Sequence, residues 1–139
     1  MFKRIVLAVD GSPNSLQAVD YACSLAECFG AKVFMLHAYP HTSDLRDAEQ
    51  YDNLLSRRKS AGQEILNEAR RRIGDKSVAL EEDLLEGPAA DAILNVADTR
   101  QADLIVMGTR GKGTLEGLLF GSVSTKVAHY AACTVMVVR

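Results

Sequence analysis

Short apolar runs alternate with amphipathic stretches along this chain, and that alternation limits the possible folds more than any other feature of the sequence. Five stretches, all but the charged third one largely apolar, have the length of a β-strand: Lys3–Val9, Lys32–Ala38, Ser77–Leu85, Asp103–Met107 and Thr134–Val138. Continuous apolar runs of this length are typical of strands that are buried on both faces of a sheet. The third run carries Glu81, Glu82 and Asp83, so we expect it at an edge of the sheet rather than at its centre.

The first stretch between these runs has helical spacing and recognisable ends. Ser12 is expected to cap a helix that begins at Pro13, just after the turn-forming pair Asp10-Gly11. Gly30 should end this helix, because glycine readily adopts the left-handed conformation found there. The predicted inward face consists of Leu16, Val19, Ala22, Cys23, Ala26 and Phe29.

Three more helices are predicted further along the chain. A loop over Tyr39–Asp47 precedes a long helix that ends at Ile73, and the next helix opens at Gly87-Pro88. The last helix covers Ser122–Ala131. The inward-facing residues are predicted to be Leu54, Ala61, Ile65, Ala69 and Ile73 in the long helix, and Ile93, Leu94 and Ala97 in the one after it.

Strands that alternate with helices in this way favour a parallel sheet with helices on both faces. We therefore predict a single doubly wound, Rossmann-like α/β domain over residues 1–139, with five mainly parallel strands in the order 3-2-1-4-5. Sheets of this kind bind ligands beyond the carboxyl ends of their strands, where the strand order reverses. The candidate site is therefore expected at Asp10, at Ala38 and in the segment that begins at Gly108.

Composition and charge exclude several classes of protein. The 16 basic and 18 acidic residues give a net charge of −2, whereas a duplex-DNA-binding protein normally has a basic excess. The first apolar run stops at Asp10, too early for a signal peptide, and no run approaches a transmembrane length. Cys23, Cys28 and Cys133 form no Cys-x-x-Cys pair, which predicts free thiols in the cytoplasm. We expect neither a nucleic-acid partner nor membrane association.

A glycine-rich segment follows the fourth predicted strand. Five of the ten glycines lie between Gly108 and Gly121. Glycine lets backbone N–H groups approach an anion and permits positive φ, and Gly121-Ser122 opens a helix whose N-terminus favours phosphate. Arg110 and Lys112 add positive charge. A strand before the segment and a helix after it favour a phosphate-binding loop; a surface loop without a ligand is the alternative.

Several better-known motifs are missing from the sequence. It has no G-x-x-x-x-G-K-[ST] P-loop, and no G-x-G-x-x-G follows the first predicted strand. His37, His41 and His129 lack the spacing of a zinc site, and no G-x-S-x-G elbow suggests a serine hydrolase. The glycine-rich segment therefore belongs to none of these better-known motifs.

The spacing Gly108-x2-Gly111-x9-Gly121-Ser122 resembles the G-x2-G-x9-G-[ST] signature of the universal stress protein family. The resemblance extends along the chain through Ile5–Ser12, Asp103–Gly111 and Thr134–Val138. Members that keep this signature bind ATP, so the resemblance implies a protein of the ATP-binding subclass, with ATP, ADP or AMP as the bound nucleotide.

The resemblance also implies roles for individual residues. Asp10 corresponds to the family's acidic residue in the nucleotide pocket, where it would bind the nucleoside or a Mg²⁺ ion beside the phosphates; a turn-forming or capping role is the alternative. Ala38 stands where the family often has Val and would contact adenine through its backbone. The implied ATP-binding residues are Ala8, Asp10, Ala38, Gly108, Thr109, Arg110, Gly111, Lys112, Gly113, Thr114, Gly121, Ser122, Val123 and Ser124.

Three functions remain open on this reading. The first is a nucleotide-dependent stress-response or signalling module that acts through an unidentified regulatory protein partner. The second is a slow ATPase or an autophosphorylating enzyme, and the third is a structural dimerisation domain with a vestigial pocket. We assign no catalytic residue, because fast phosphoryl transfer requires a positioned base and metal ligands, and only Asp10 and Glu116 are candidates near the glycine-rich segment.

The last predicted strand, Thr134–Val138, is expected to form a homodimer interface. Only Arg139 follows it in the sequence, so we expect its apolar edge to be uncovered, and uncovered edge strands pair readily. Members of the universal stress protein family pair their fifth strands antiparallel about a two-fold axis, so the resemblance implies the same assembly.

Overall fold

A computed structural model describes residues 1–42, 48–109 and 120–139 of the chain, and within these ranges strands and helices alternate as predicted. The elements are β1 (Arg4–Ala8), α1 (Pro13–Phe29), β2 (Lys32–Tyr39), α2 (Ala48–Ile73), β3 (Ala79–Glu86), α3 (Ala89–Thr99), β4 (Leu104–Gly108), α4 (Ser122–Tyr130) and β5 (Thr134–Val138). The chain therefore has the α/β organisation that its apolar runs indicate.

The five strands form one parallel sheet in the order β3-β2-β1-β4-β5, which confirms the predicted order. The central strand β1 pairs with β2 on one side and with β4 on the other; Val6, for example, lies opposite Phe34 and Ile105. The winding of the chain reverses between β1 and β4. A reversal of this kind leaves a crevice beyond the carboxyl ends of the strands.

Successive residues of the central strands point to opposite faces of the sheet, and each face has its own core. On one face, Leu7 and Val106 pack with Val19 of α1, and α2 covers the neighbouring part of the sheet. On the other face, Val6 and Ile105 pack beneath α3 and α4. Burial on both faces explains why these strands are continuous apolar runs.

The acidic strand β3 lies at one edge of the sheet, as its charges predict. Glu81 accepts a salt bridge from Lys32 at 3.0 Å and another from Arg100, and Glu82 pairs with Arg70. The hydrogen bond from Lys32 lowers the pKa of Glu81 from its ordinary value. The charges at this edge are therefore matched by neighbouring cations, and a charged edge strand resists pairing with another sheet.

Two helical residues are placed differently from the prediction. Phe29, expected to face inward, is 40% exposed at the end of α1, where its ring meets Phe2 edge to face at 5.5 Å between centroids. Ala61 is also exposed. The buried positions of α2 are Gly62, Leu66, Ala69 and Ile73. The inward stripe of α2 therefore begins at a glycine, a residue that hydrophobic periodicity does not select.

Candidate functional site

A cavity of about 520 Å³ lies at the carboxyl ends of β1, β2 and β4, in the crevice where the strand order reverses. Nine of the fourteen predicted site residues line it: Ala8, Asp10, Ala38, Gly108, Thr109, Gly121, Ser122, Val123 and Ser124. The other five, Arg110, Gly111, Lys112, Gly113 and Thr114, lie outside the described residues. The structure thus brings together every predicted residue that it describes, although these residues are far apart in the sequence.

Asp10 follows β1 and takes part in the turn that leads into α1. One carboxylate oxygen, Oδ1, accepts a hydrogen bond from the backbone N–H of Ser12 at 2.8 Å, and the N–H of Asp10 donates to Oγ of Ser15 at 3.2 Å. Among the described residues nothing donates to Oδ2, and Asp10 lines the cavity. The turn-forming role and a ligand-binding role are therefore compatible, because they use different oxygens.

The start of α4 forms another part of the cavity wall. Gly121 is its N-cap, with φ −81° and ψ 171°, and no side chain of the described residues accepts a hydrogen bond from the first turn. This extended conformation is open to any residue, so Gly121 makes no use of the positive φ that glycine permits. Ser122, the first helical residue, is exposed and lines the cavity. The N–H groups of the first turn, which have no acceptor among the described residues, make this helix end suitable for an anion.

Ser124 and Thr109 line the cavity, but their side chains already have partners. Oγ of Ser124 lies 2.7 Å from the carbonyl oxygen of Thr109 and 3.1 Å from that of Gly121, so its proton is donated within the protein. Oγ1 of Thr109 accepts a hydrogen bond from Nδ2 of Asn14 at 3.1 Å. These contacts, together with the Gly121 N–H to Thr109 carbonyl bond at 2.6 Å, hold the end of β4 against the start of α4.

Gly108 is required by packing. A Cβ at this position would lie 2.9 Å from Cβ of Asn14 and 3.0 Å from the backbone nitrogen of Ser15. Real Cβ contacts with backbone are longer, so the first turn of α1 can approach the end of β4 only because residue 108 has no side chain. The first glycine of the signature therefore joins two elements of the fold that border the cavity.

Several lining residues were not predicted from the sequence. Leu36, Ile65, Ile93 and Met107 are examples from the apolar part of the wall, and His37 and Arg58 are polar additions. His37 immediately precedes the predicted Ala38, so its position at the end of β2 was an available signal. Arg58 had none, because the approach of α2 to the cavity depends on tertiary packing.

The chain segment after β2 is held beside the cavity by hydrogen bonds from two elements. Nη1 of Arg58 donates to the carbonyl oxygens of Pro40 at 3.1 Å and His41 at 2.6 Å. Oε1 of Glu86 accepts from the N–H of Thr42 at 3.1 Å, from its hydroxyl at 3.2 Å, and lies 3.0 Å from Nδ1 of His41. The bond from the Thr42 N–H, with the others, lowers the pKa of Glu86.

A resident metal centre has no support in the described part of the chain, which contains no group of three or more His, Cys, Asp or Glu side chains arranged around a common point. Asp10 is the carboxylate among the described residues that line the cavity. A single carboxylate fits Mg²⁺ that arrives with a nucleotide, because Mg²⁺ keeps several waters and takes its other ligands from phosphates.

In the described part of the chain, no helix has the length and apolarity needed to cross a bilayer.

The whole chain is similar to proteins of known family. The family model described as the universal stress protein family matches residues 1–139. A universal stress protein of Thermus aquaticus is 40% identical over 140 residues, which cover 100% of both chains.

Two solved structures resemble the chain closely enough to compare ligands. A universal stress protein in complex with cAMP has a TM-score of 0.76 and 31% identity, and the match covers 99% of this chain and 97% of that one. A universal stress protein from Archaeoglobus fulgidus in complex with dAMP has a TM-score of 0.71 and 25% identity, with coverage of 100% and 98%. Both neighbours were solved with adenine nucleotides.

Proposed function

The chain belongs to the universal stress protein family, and we propose that its cavity binds an adenine nucleotide, ATP in particular, and that occupancy changes its contacts with a regulatory protein partner. One observation carries the proposal: every described residue of the predicted ATP site lines a single cavity at the point where the strand order reverses. The adenine nucleotides bound by two structural neighbours support the choice of ligand class.

The walls of the cavity suit the different parts of a nucleotide. Apolar side chains such as Leu36, Ile93 and Met107 can enclose a planar base. The first turn of α4, which no side chain of the described ranges caps, offers donors and a positive dipole end to phosphate, together with the exposed hydroxyl of Ser122. Asp10 lies after the central strand, and its Oδ2, to which no described residue donates, can bind a ribose hydroxyl or a nucleotide-bound Mg²⁺ ion. The glycines and cations at 110–113 are proposed to complete the phosphate site.

The test is thermal unfolding with and without Mg-ATP, ADP and AMP. A ligand at about 100 times its dissociation constant adds roughly 2.7 kcal/mol to the free energy of unfolding, which raises Tm by several degrees in a domain of this size. Mg-GTP serves as the control for nonspecific binding of a charged nucleotide. An unchanged Tm in millimolar adenine nucleotide, with none retained on purification, contradicts the proposal.

We propose that the protein works as a binding module with, at most, slow hydrolysis or autophosphorylation. Among the described lining residues Asp10 is the single carboxylate, whereas rapid phosphoryl transfer requires a positioned base in addition to metal ligands. Turnover should therefore be far below the roughly 10 per second median of dedicated enzymes. A fast steady-state ATPase that is lost in Asp10→Ala and kept in Asp20→Ala, a surface control, would favour the enzyme instead.

We also propose a homodimer that forms through β5. This strand is at the edge of the sheet opposite β3, and Val137 is half-buried without packing into either core cluster. In the described ranges no strand pairs with its outer side. An apolar edge of this kind can pair with a second copy, whereas the charged edge at β3 resists pairing.

Light scattering can test the dimer at micromolar concentration. We expect a mass of about twice the 15.1 kDa of one chain. Val137→Lys should shift the protein toward the monomer, because it places a charge on the proposed interface. Ala79→Lys is the matched control, since Ala79 is an exposed residue of the other edge strand. A wild-type monomer would contradict the assembly.

The free state of Cys23, Cys28 and Cys133 is consistent with the cytoplasmic location that we propose.

A further inference from the structure

His37 lines the cavity at the end of β2, and only one of its ring nitrogens has a partner among the described residues. Nδ1 lies 2.7 Å from the carbonyl oxygen of Val9, which can only accept, so Nδ1 carries the proton. In the neutral ring Nε2 is then an acceptor. No fully buried side-chain polar atom of the described residues lacks a partner, so Nε2, which has none there, is accessible to solvent on a residue that lines the cavity.

The imidazole of His37 is held in a fixed orientation. The bond to Val9 secures one side of the ring, and α2 lies against the other. A Cβ at Gly62 would be 3.0 Å from Cδ2 of His37 and 2.7 Å from Cδ1 of Leu84, so the missing side chain lets the helix pack directly against the ring. A fixed ring presents Nε2 as a directional acceptor, and acceptors of this kind provide specificity in largely apolar pockets.

The order of the strands places this acceptor near the base of a bound nucleotide. The proposed phosphate site is at the start of α4, beyond β4, whereas His37 lies within β2, near its carboxyl end. With β1 between them and neighbouring strands about 4.8 Å apart, the ends of β4 and β2 are separated by roughly 10 Å. A mononucleotide with its phosphate at α4 and its ribose at Asp10 therefore extends its base toward His37.

We propose that Nε2 of His37 accepts a hydrogen bond from the exocyclic amino group of adenine and thereby selects a 6-aminopurine over a 6-oxopurine. This inference rests on the proposed function, with the phosphates at α4. The amino group is the donor on that edge of adenine, beside the acceptor N7. A 6-oxopurine presents an oxygen acceptor there, whose lone pairs would face those of Nε2.

The experiment compares two ligands in three proteins. Calorimetry measures the dissociation constants of AMP and of purine riboside 5′-monophosphate, which lacks the amino group, for wild type, His37→Asn and His37→Gln. The amide nitrogen of Asn can still donate to the Val9 carbonyl, but Asn has no group at the position of Nε2. The longer Gln can place its amide oxygen there as an acceptor.

Wild type should prefer AMP about two- to tenfold, as expected for one hydrogen bond. His37→Asn should bind both ligands alike, and His37→Gln should keep a preference for AMP. A purely structural role would weaken both ligands by the same factor, so an Asn variant with the wild-type ratio overturns the inference, as does a wild type without preference. If Asn fails to fold, a Gln variant that binds both ligands alike overturns it. A wild type that binds neither ligand, nor ATP, contradicts the proposed function itself.

Discussion

Helices α1 and α4 begin beyond neighbouring strands of the sheet. In the described residues, side chains cap the start of α1 but not the start of α4. At α1, Oδ1 of Asp10 accepts from the N–H of Ser12, and Oγ of Ser12 accepts from the N–H of Ser15 at 3.2 Å. Pro13, the first residue of α1, has no N–H to satisfy. At α4 the cap is Gly121, which has no side chain to accept a bond.

The hydroxyl groups near the start of α4 reinforce this difference. Oγ1 of Thr125 donates to the carbonyl oxygen of Gly121 at 2.8 Å, and Oγ of Ser124 also donates to carbonyl oxygens. Neither side chain caps an N–H group. The N–H groups of Ser122, Val123 and Ser124 therefore have no acceptor within the described residues. Both helices present the positive end of a dipole, so the difference between the start of α1 and the proposed ligand site at α4 is whether the described residues cap the first turn.

The largest expected effect is at the open helix end. Gly121→Val should weaken ATP binding by roughly a hundredfold or more, because the branched side chain occupies the approach to several donors, each worth about 1.5–3 kcal/mol toward a charged group. The backbone at Gly121 suits valine, so the circular dichroism spectrum should not change. Calorimetry measures the affinity. Wild-type affinity in this variant would place the phosphates elsewhere and would contradict a phosphate-binding role for the start of α4.

Ser122→Ala should have a smaller effect of the same kind. It removes one exposed hydroxyl that can bond to phosphate, so we expect the affinity for ATP to fall about tenfold to a hundredfold. Tm without ligand should stay at the wild-type value, since the Ser122 side chain does not cap the helix. Thr125→Ala, which loses a hydroxyl bonded within the protein, is the control and should bind ATP normally.

Gly108→Ala tests the contact between the end of β4 and the first turn of α1. The added methyl group meets Asn14 and the backbone of Ser15, so we expect the free energy of unfolding to fall by about 1–3 kcal/mol. Urea unfolding without nucleotide measures this loss. A variant as stable as wild type would show that α1 can move away from β4 at no cost, and would favour a ligand-contact role for this glycine.

Ser12→Ala should have the smallest effect, confined to stability. Loss of the side-chain cap lowers the free energy of unfolding by about 1 kcal/mol. The affinity of the folded protein for ATP should be close to that of wild type. Ser12→Ala should lower stability without changing affinity, whereas Ser122→Ala should lower affinity without changing Tm. Measuring Tm and affinity for both variants therefore tests whether the two helix starts have different roles. A Ser12→Ala protein with normal Tm and weak ATP binding would show instead that the start of α1 contributes to ligand binding.

Much of this fold can be predicted from the sequence, because many of its features depend on residues that are close together in the chain. The apolar runs, the Ser12 cap and the turn at Gly30, with φ 67°, each depend on a few neighbouring residues. The edge position of β3 follows from charges within the strand itself. The grouping of nine predicted residues around one cavity was predictable because they lie near the carboxyl ends of strands or at the start of the following helix, and parallel strands bring those ends together.

Other features exist only where distant parts of the chain meet. Gly108 is required by Asn14, more than ninety positions earlier, and Gly62 by the ring of His37. Arg58 reaches the cavity because α2 packs on β2, which no periodicity in its own helix indicates. Local patterns report how a residue pairs with its neighbours in sequence, whereas close approach, free donors and free acceptors depend on which surfaces the folded sheet and helices bring together.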